Sequence, residues 1–340
     1  MGFEVLLIGR KLPNSLTLKD RPYSTKRFKL WFKKGPLFYA EYNLRLYLFL
    51  LFSQFDLLLS NDLDTLTANF LASKVKNKTL VYDSHEYFTE VPELVNRPQV
   101  KRIWEWLEEK MLPHIKYAYT VCESIANIYN TKYGISFQIV RNLPVSCSPQ
   151  TSANENDIEK RIIYQGAVNV GRGLQQAILA MKYLENARLI IAGEGDIKTP
   201  LENLVEKENL SNKVEFTGRL PFEELAQLTS SAHLGLSIEE DVGLNYRYAL
   251  PNKLFDYIQA RIPVLVTNLP EIAAIITRYK VGEITDSLEP EILAKKIDDA
   301  IHNKEKRKTW LKNLPLAANE LIWENEEKVI KEIFAGLLVL

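Results

Sequence analysis

Short apolar runs of strand length alternate with helix-length stretches along nearly the whole chain, and no other feature restricts its fold so strongly. Phe3 to Ile8 reads as a buried strand, Leu37 to Phe52 as a helix, Asp56 to Ser60 as a strand and Thr65 to Lys74 as a helix. Thr79 to Tyr82, Tyr117 to Val121 and Phe137 to Val140 continue as strands, with helices at Val100 to Met111 and Ser124 to Tyr133 between them. The stretch LPVSCSPQTSANENDIEK then breaks the pattern, and its Pro, Ser and polar content marks a linker. The alternation restarts with strands at Arg161 to Tyr164, Arg188 to Ala192, Lys213 to Phe216, Leu234 to Ser237 and Val264 to Val266. Helices at Glu291 to His302 and Leu316 to Phe334 close the chain. Strands separated by helices imply parallel sheets covered on both faces. The expected class is α/β, with two Rossmann-like doubly wound parallel-sheet domains facing a cleft. The expected boundaries are 1–143 for the first domain, 144–158 for the linker and 159–315 for the second domain. Residues 316–340 form a closing helix that packs back on the first domain.

The length of 340 residues suits two domains, and the 46% hydrophobic and 25% charged content is that of an ordinary folded chain. Lys plus Arg and Asp plus Glu both number 43, which argues against a general nucleic-acid partner. Cys122 and Cys147 are too few for a disulfide framework and lack metal-ligand spacing, so a reducing cytoplasm is expected. The apolar run from Leu46 to Phe52 is far shorter than the ~20 residues of a membrane-spanning helix, and no secretory leader is expected.

Candidate ligand residues follow the expected strands. After RIIYQG, the loop AVNVGRGLQQAI carries Gly166, Gly171 and Gly173, whose helix-start N–H groups suit phosphate, and Arg172 adds a planar cation. No G-x-G-x-x-G is present, which counts against an NAD(P)-dependent enzyme. Gly193 and Gly195 in IIAGEGD would let a ligand approach the backbone, and Gly218, Arg219 and Leu220 could present main-chain groups to a flat base. Each of these loops also has an ordinary reading as a tight turn. The richest segment runs from Glu239 to Asn268. Acidic Glu239 and Glu240 follow a strand, Gly243 turns the chain, and Pro251 precedes a helix with Asn252, Lys253 and Leu254 in its first turn. A lysine at a helix start opposes the macrodipole unless an anion sits there too. Asp256 lies one turn on, where its carboxylate suits the paired hydroxyls of a ribose.

This segment resembles the donor-site signature of retaining GT-B glycosyltransferases of family four, the bacterial group one enzymes. In that family an E-G-F-G-L-type loop leads, after seven residues, to a second acid, then to a small-residue helix and G-x-P-V. Here Glu240 to Leu244 match the loop, including Gly243 and Leu244, and Asp256 matches the second acid. Fifteen residues lie between Glu240 and Asp256, and Arg261 stands where the family has Gly. IIAGEGD and VEFTGRLPFEELAQL resemble the family's Gly-rich turn and base-contacting segment. The family's Arg and Lys that hold the diphosphate correspond to Ala167 and Arg172, so Lys253 is expected to compensate. The family usually opens with a strand, a Gly-containing loop and a helix before the strand matching GFEVLLIG, so an incomplete first domain is expected here.

In the first half, VYDSHEYFTEVPEL resembles a segment of bacterial members and places His85 and Glu86 after a strand. LLLSNDLDTL resembles the loop where the family often has a His near the reacting sugar; here it offers Asn61 and Asp62. Asp62 and Asp64 spell D-x-D, a metal–nucleotide motif of a different fold, but the resembled architecture needs no metal. Lys26, Arg27, Lys29, Lys33 and Lys34 mix with Phe28, Trp31 and Phe32, a combination suited to peripheral contact with an anionic membrane face. The resemblance implies a glycosyltransferase using a nucleoside diphosphate sugar as substrate, no separate cofactor, and a saccharide or lipid-linked acceptor. Arg172, Lys253, Glu240, His85 and Asp62 are the expected catalytic residues. The alternative is a non-catalytic nucleotide-sugar-binding protein derived from such an enzyme.

Overall fold

The computed structural model describes residues 1–13, 15, 17–18, 20–95, 97–147 and 153–337. Parts of the expected linker (148–152) and of the closing segment (338–340) lie outside the described residues. The first domain contains β1 (Leu6–Arg10), β2 (Ser24–Phe28), α1 (Pro36–Phe52), β3 (Leu57–Asn61), α2 (Asp62–Lys76) and β4 (Thr79–Ser84). It continues through α3 (Pro92–Val95), α4 (Pro98–Met111), β5 (Tyr117–Thr120), α5 (Glu123–Tyr133) and β6 (Phe137–Ile139). Strands β3-β4-β5-β6 form a parallel sheet in that order, while β1 and β2 form a separate parallel pair.

The second domain contains β7 (Lys160–Gln165), α6 (Leu174–Ala180), β8 (Ala187–Ala192), α7 (Lys198–Lys207), β9 (Val214–Gly218), α8 (Phe222–Ser230) and β10 (Leu234–Ser237). Then come α9 (Leu244–Arg247), α10 (Asn252–Gln259), β11 (Val264–Thr267), α11 (Pro270–Tyr279), β12 (Gly282–Thr285), α12 (Pro290–His302) and α13 (Lys304–Glu320), followed by the last helix, α14 (Trp323–Ala335). The sheet order is β12-β11-β10-β7-β8-β9, all parallel. Alternate residues feed opposite faces, as the two-residue period of a strand requires. Ile162, Tyr164 and Leu265 join one buried cluster, and Ile163, Val264 and Val266 join another. The chain winds outward from β7 to β9, then returns to lay β10 on the other side of β7. The crevice beyond the ends of β7 and β10 is therefore a topological switch point, the place where open parallel sheets bind ligands.

Three expectations need correction. The strand expected at Phe3 to Ile8 lies at Leu6–Arg10 and is not buried: Leu6 is 45% and Leu7 42% exposed. Apolar sequence favours burial, but burial requires a covering layer, and no described strand pairs with the free edge of β1. A strand, β2, occupies part of the segment read as basic and aromatic; its Phe28 turns inward against Tyr42 and Phe49, with ring centroids 6.3 and 5.9 Å apart. The helix expected from Leu316 to Phe334 is two helices. Leu321 is fully buried at the break, and the Trp323 N–H donates to Pro144 O at 2.8 Å, which redirects the chain. Beyond the break, Phe334 of α14 joins Val81, Tyr119 and Val140 on one face of the β3–β6 sheet, with Val329, Ile330 and Ile333 packed against them. Arg141 clamps the start of α14 through Glu326 at 2.6 and 3.0 Å.

Candidate functional site

The switch point between β7 and β10 gathers charge. Beyond the end of β10, Glu239 turns back into the protein and is fully buried. Its carboxylate accepts from Lys253 Nζ at 2.7 Å and Ser237 Oγ at 2.9 Å, and Arg172 Nη1 lies 3.5 Å away. Burial alone would raise the Glu239 carboxyl, but Lys253, Arg172 and Ser237 outweigh it and hold it below the usual range. Each cation also rests on an aromatic ring. Lys253 Nζ sits 4.0 Å from the centre of Tyr164, and the Arg172 guanidinium sits 5.2 Å from that of Tyr246. Two cations thus share the one buried carboxylate. This arrangement can receive a diphosphate, and the cations are already positioned.

Glu240 lies beside this cluster. It accepts a bond from the Gly173 N–H at 3.3 Å, so the N–H expected to meet phosphate at the start of α6 meets a carboxylate of the protein itself. Of the adjacent pair, Glu239 is the buried acid that holds both cations; sequence reasoning picked out Glu240 because it aligns with the loop motif. Asp256 takes a bond from Gln165 Nε2 at 2.8 Å, and burial pushes its carboxyl up to about 6. Gly166 stands near both Lys253 and Tyr164, since a Cβ there would lie 3.7 Å from Lys253 Cε and 3.7 Å from Tyr164 Oη.

Other glycines serve a purpose different from the one expected. A Cβ on Gly193 would lie 1.8 Å from Gly166 O, and one on Gly195 would lie 2.2 Å from Val168 O. These two let neighbouring strand-end loops pack against each other, so their missing side chains leave no room for a ligand. Gly171 and Gly173 are likewise covered, by the Tyr246 ring and by Ile238 O. Leu254, expected at the donor, is instead fully buried in the core behind α10, and its N–H donates to Pro251 O. Asn252, Arg219 and Leu244 are exposed, and Gly218 ends β9 with Leu220 half-buried after it. Gly243 starts α9 at a φ of 151°.

The extra residues between Glu240 and Asp256 cross to the first domain. Asn245 donates to Glu86 at 3.2 Å and accepts from the Tyr87 N–H at 3.0 Å. Cys122 Sγ donates to Tyr248 O at 3.3 Å, and Tyr248 and Leu250 pack on the first domain's core. Tyr246 also pins the Gly171 turn by donating to Val170 O at 3.0 Å. Asn245 and Tyr246 were missed in the sequence because an insertion is visible only as a length.

On the first-domain side, Asn61 is exposed at the end of β3, and Asp62 starts α2 at a φ of 55°. Asp62 accepts the His85 N–H at 2.8 Å, and the His85 ring reaches Asp83 at 2.9 Å. That bond to Asp83 is the main reason the imidazole pKa is raised. Burial raises Asp62 and Glu86, so the carboxyls here are less acidic than usual. The structure thus brings Asp62, His85 and Glu86 together and links them to the second domain through Asn245. Among the described residues, no group of three or more His, Cys, Asp and Glu is arranged to hold a metal ion.

Residues 150–315 match the family described as glycosyl transferases group 1. This stretch of the chain is thus similar to a group 1 glycosyltransferase domain. Two uncharacterized glycosyltransferases of Methanocaldococcus jannaschii are similar to parts of this chain. One is 28% identical over 181 residues, covering 52% of this chain and 44% of the relative. The other is 25% identical over 193 residues, covering 54% and 52%. The matches therefore span about half the length of these curated relatives. Among solved structures, sucrose-phosphate synthase from Thermosynechococcus elongatus superposes with a TM-score of 0.80 at 15% identity, covering 99% of this chain and 90% of that one. Anabaena HepE in complex with UDP superposes with a TM-score of 0.71 at 16% identity, covering 92% and 86%. The fold is GT-B. The buried Glu239 with its two cations lies within the matched residues, and Asn245 of the same stretch bonds Glu86 of the first domain. Among the described residues, no helix is long and apolar enough to cross a membrane.

Proposed function

We propose that the chain moves a sugar from a nucleoside diphosphate sugar to a saccharide or lipid-linked acceptor, with retention at the anomeric carbon and without a metal ion. The observation that carries this reading is the pair Arg172 and Lys253, held by Glu239 at the switch point of a group 1 domain. As the bond between the anomeric carbon and the diphosphate oxygen breaks, negative charge grows on the diphosphate. Fixed cations stabilise that charge without having to reorganise. Glu239 keeps the two cations in place before the donor arrives. Glu240 contacts the transferred sugar, and Asp256 accepts the ribose hydroxyls. Gly218 to Leu220 border the base. Asp62, His85, Glu86 and Asn61 face the acceptor.

The product belongs to a surface polysaccharide or glycoconjugate, and Lys26, Lys34 and exposed Trp31 make peripheral contact with an anionic membrane face. The complex of the similar Anabaena protein with UDP supports a uridine nucleotide as the first donor to try. The test is a thermal-shift panel of UDP, GDP, ADP and their glucose derivatives, followed by transfer assays with the one that binds. A ligand that binds the folded state raises the melting temperature by mass action. A flat response to the whole panel would remove the donor site; binding without transfer to any acceptor would favour the non-catalytic alternative.

A further inference from the structure

Away from the Glu239 cluster, the first domain holds a cavity of about 360 Å³ where the chain leaves β1 and β2. That volume lies within the range of small-ligand sites, roughly 300–1,000 Å³. Arg10, Lys11, Lys29 and Lys33 line it together with Leu12, Pro13, Leu30, Phe32 and Phe38, and no carboxylate is among the lining residues. The whole chain carries equal numbers of acids and bases, so four cations around one cavity do not reflect a general basic bias. By contrast, Arg172 and Lys253 have Glu239 between them. Among the described residues none of these four is in an ion pair; Arg10 rests on the Phe38 ring, 4.7 Å from its centre. Like charges around one cavity repel each other, and an anion inside it removes that cost.

The cavity also adjoins the acceptor side. Phe38 of its wall belongs to α1, and Asn43 of the same helix donates to Asp64 O at 2.8 Å in the first turn of α2, two residues from Asp62. The exposed Phe32 and Leu12 at its wall give the remainder of a ligand an apolar surface.

We propose that this cavity binds a phosphate group carried by the acceptor, as a phosphomonoester or phosphodiester. Assigning the phosphate to the acceptor rests on the glycosyl-transfer reading. An arginine fork and three lysines match phosphate oxygens in charge and in donor number.

Calorimetry with glycerol 3-phosphate and flotation with phosphatidic acid vesicles, against phosphatidylcholine vesicles, test the proposal on the full chain. The double variant K29A/K33A should bind the phosphate probes at least ~10-fold more weakly, because two charge-assisted contacts are gone. Lys34→Ala, outside the cavity, should bind the soluble ester as the parent does. Parallel loss for ester and vesicles assigns the site to the phosphate group itself; loss for vesicles alone assigns it to a lipid headgroup. No binding of either probe by the parent chain, or unchanged binding by K29A/K33A, overturns the proposal. The thermal shift with nucleoside diphosphates reads the donor site separately. Phosphate binding by a chain that responds to no nucleoside diphosphate would overturn the acceptor assignment.

Discussion

The two domains alternate strands and helices in the same way, yet they handle charge and apolar surface differently. In the second domain a continuous six-stranded sheet is covered on both faces, and its functional charges are buried and mutually paired. In the first domain the strands divide into a pair and a set of four, and β1 leaves Leu6 and Leu7 open. Its cations at Arg10, Lys11, Lys29 and Lys33 line one cavity with no carboxylate among the described lining residues. A site that must stabilise charge during bond breaking benefits from a rigid, dry setting, which the second domain supplies.

The sharpest test of this contrast is Lys253. Lys253→Ala should lower kcat by about 10²–10³-fold if Lys253 stabilises the departing diphosphate. It should also cost about 3–5 kcal/mol of stability, because Glu239 would lose its closest partner while buried. The double variant K253M/E239Q should recover most of the melting temperature but not the turnover. Recovery of both would place Lys253 in the structure and outside the chemistry.

Core truncations compare the two sheets directly. Ile162→Ala in β7 should cost about 2–5 kcal/mol in urea unfolding. Leu7→Ala in β1 should stay within about 0.5 kcal/mol, as exposed positions do. Equal losses would mean that β1 is covered in solution.

Asp256 gives a test by pH. Its carboxyl is raised to about 6, so it is largely protonated below that pH. If the carboxylate accepts ribose hydroxyls, donor affinity should fall about tenfold per unit as pH drops below 6. Its contribution to stability has the opposite sign. A raised folded pKa favours the fold at pH below the ordinary aspartate value of 3.8, and that gain is lost as pH rises through about 6. Asp256→Asn should flatten both trends; affinity that is level from pH 5 to 7 in the parent would remove Asp256 from the ribose.

The smallest expected effect is at the bridge between domains. Asn245→Ala should cost about 1 kcal/mol of stability for the lost hydrogen bonds. It should also raise KM for the acceptor more than for the donor, because Asn245 holds Glu86. Steady-state kinetics with each substrate varied in turn would show this, and equal changes in both KM values would break the link.

Much of the fold could be read in the chain order. Five of the six second-domain strands occur within a residue or two of their expected positions, because short apolar runs between helices have few alternatives in a parallel sheet; the edge strand β12, GEIT, has too little apolar sequence to stand out and was not expected. The charged pair was harder. Glu239 and Glu240 are adjacent, and successive residues in extended chain point to opposite sides, so a shift of one residue exchanges inside for outside. Sequence could place an acid there but could not say which one would be buried. Gly193 and Gly195 were likewise visible as special positions, but only the tertiary contacts show that backbone from the neighbouring loop fills their space.

Sequence alone determined that this chain builds parallel α/β domains, and it marked Lys253, Arg172 and an acid after β10 as candidates near strand ends. Hydrophobic period and strand-to-helix spacing are local properties, and they survive in the order of residues. Tertiary structure decided that Glu239 unites both cations, that the insertion through Asn245 ties the two domains together, and that four cations from separate loops surround one cavity. Those outcomes depend on which distant segments share space, and side-chain direction and long-range packing settle that only once the chain has folded.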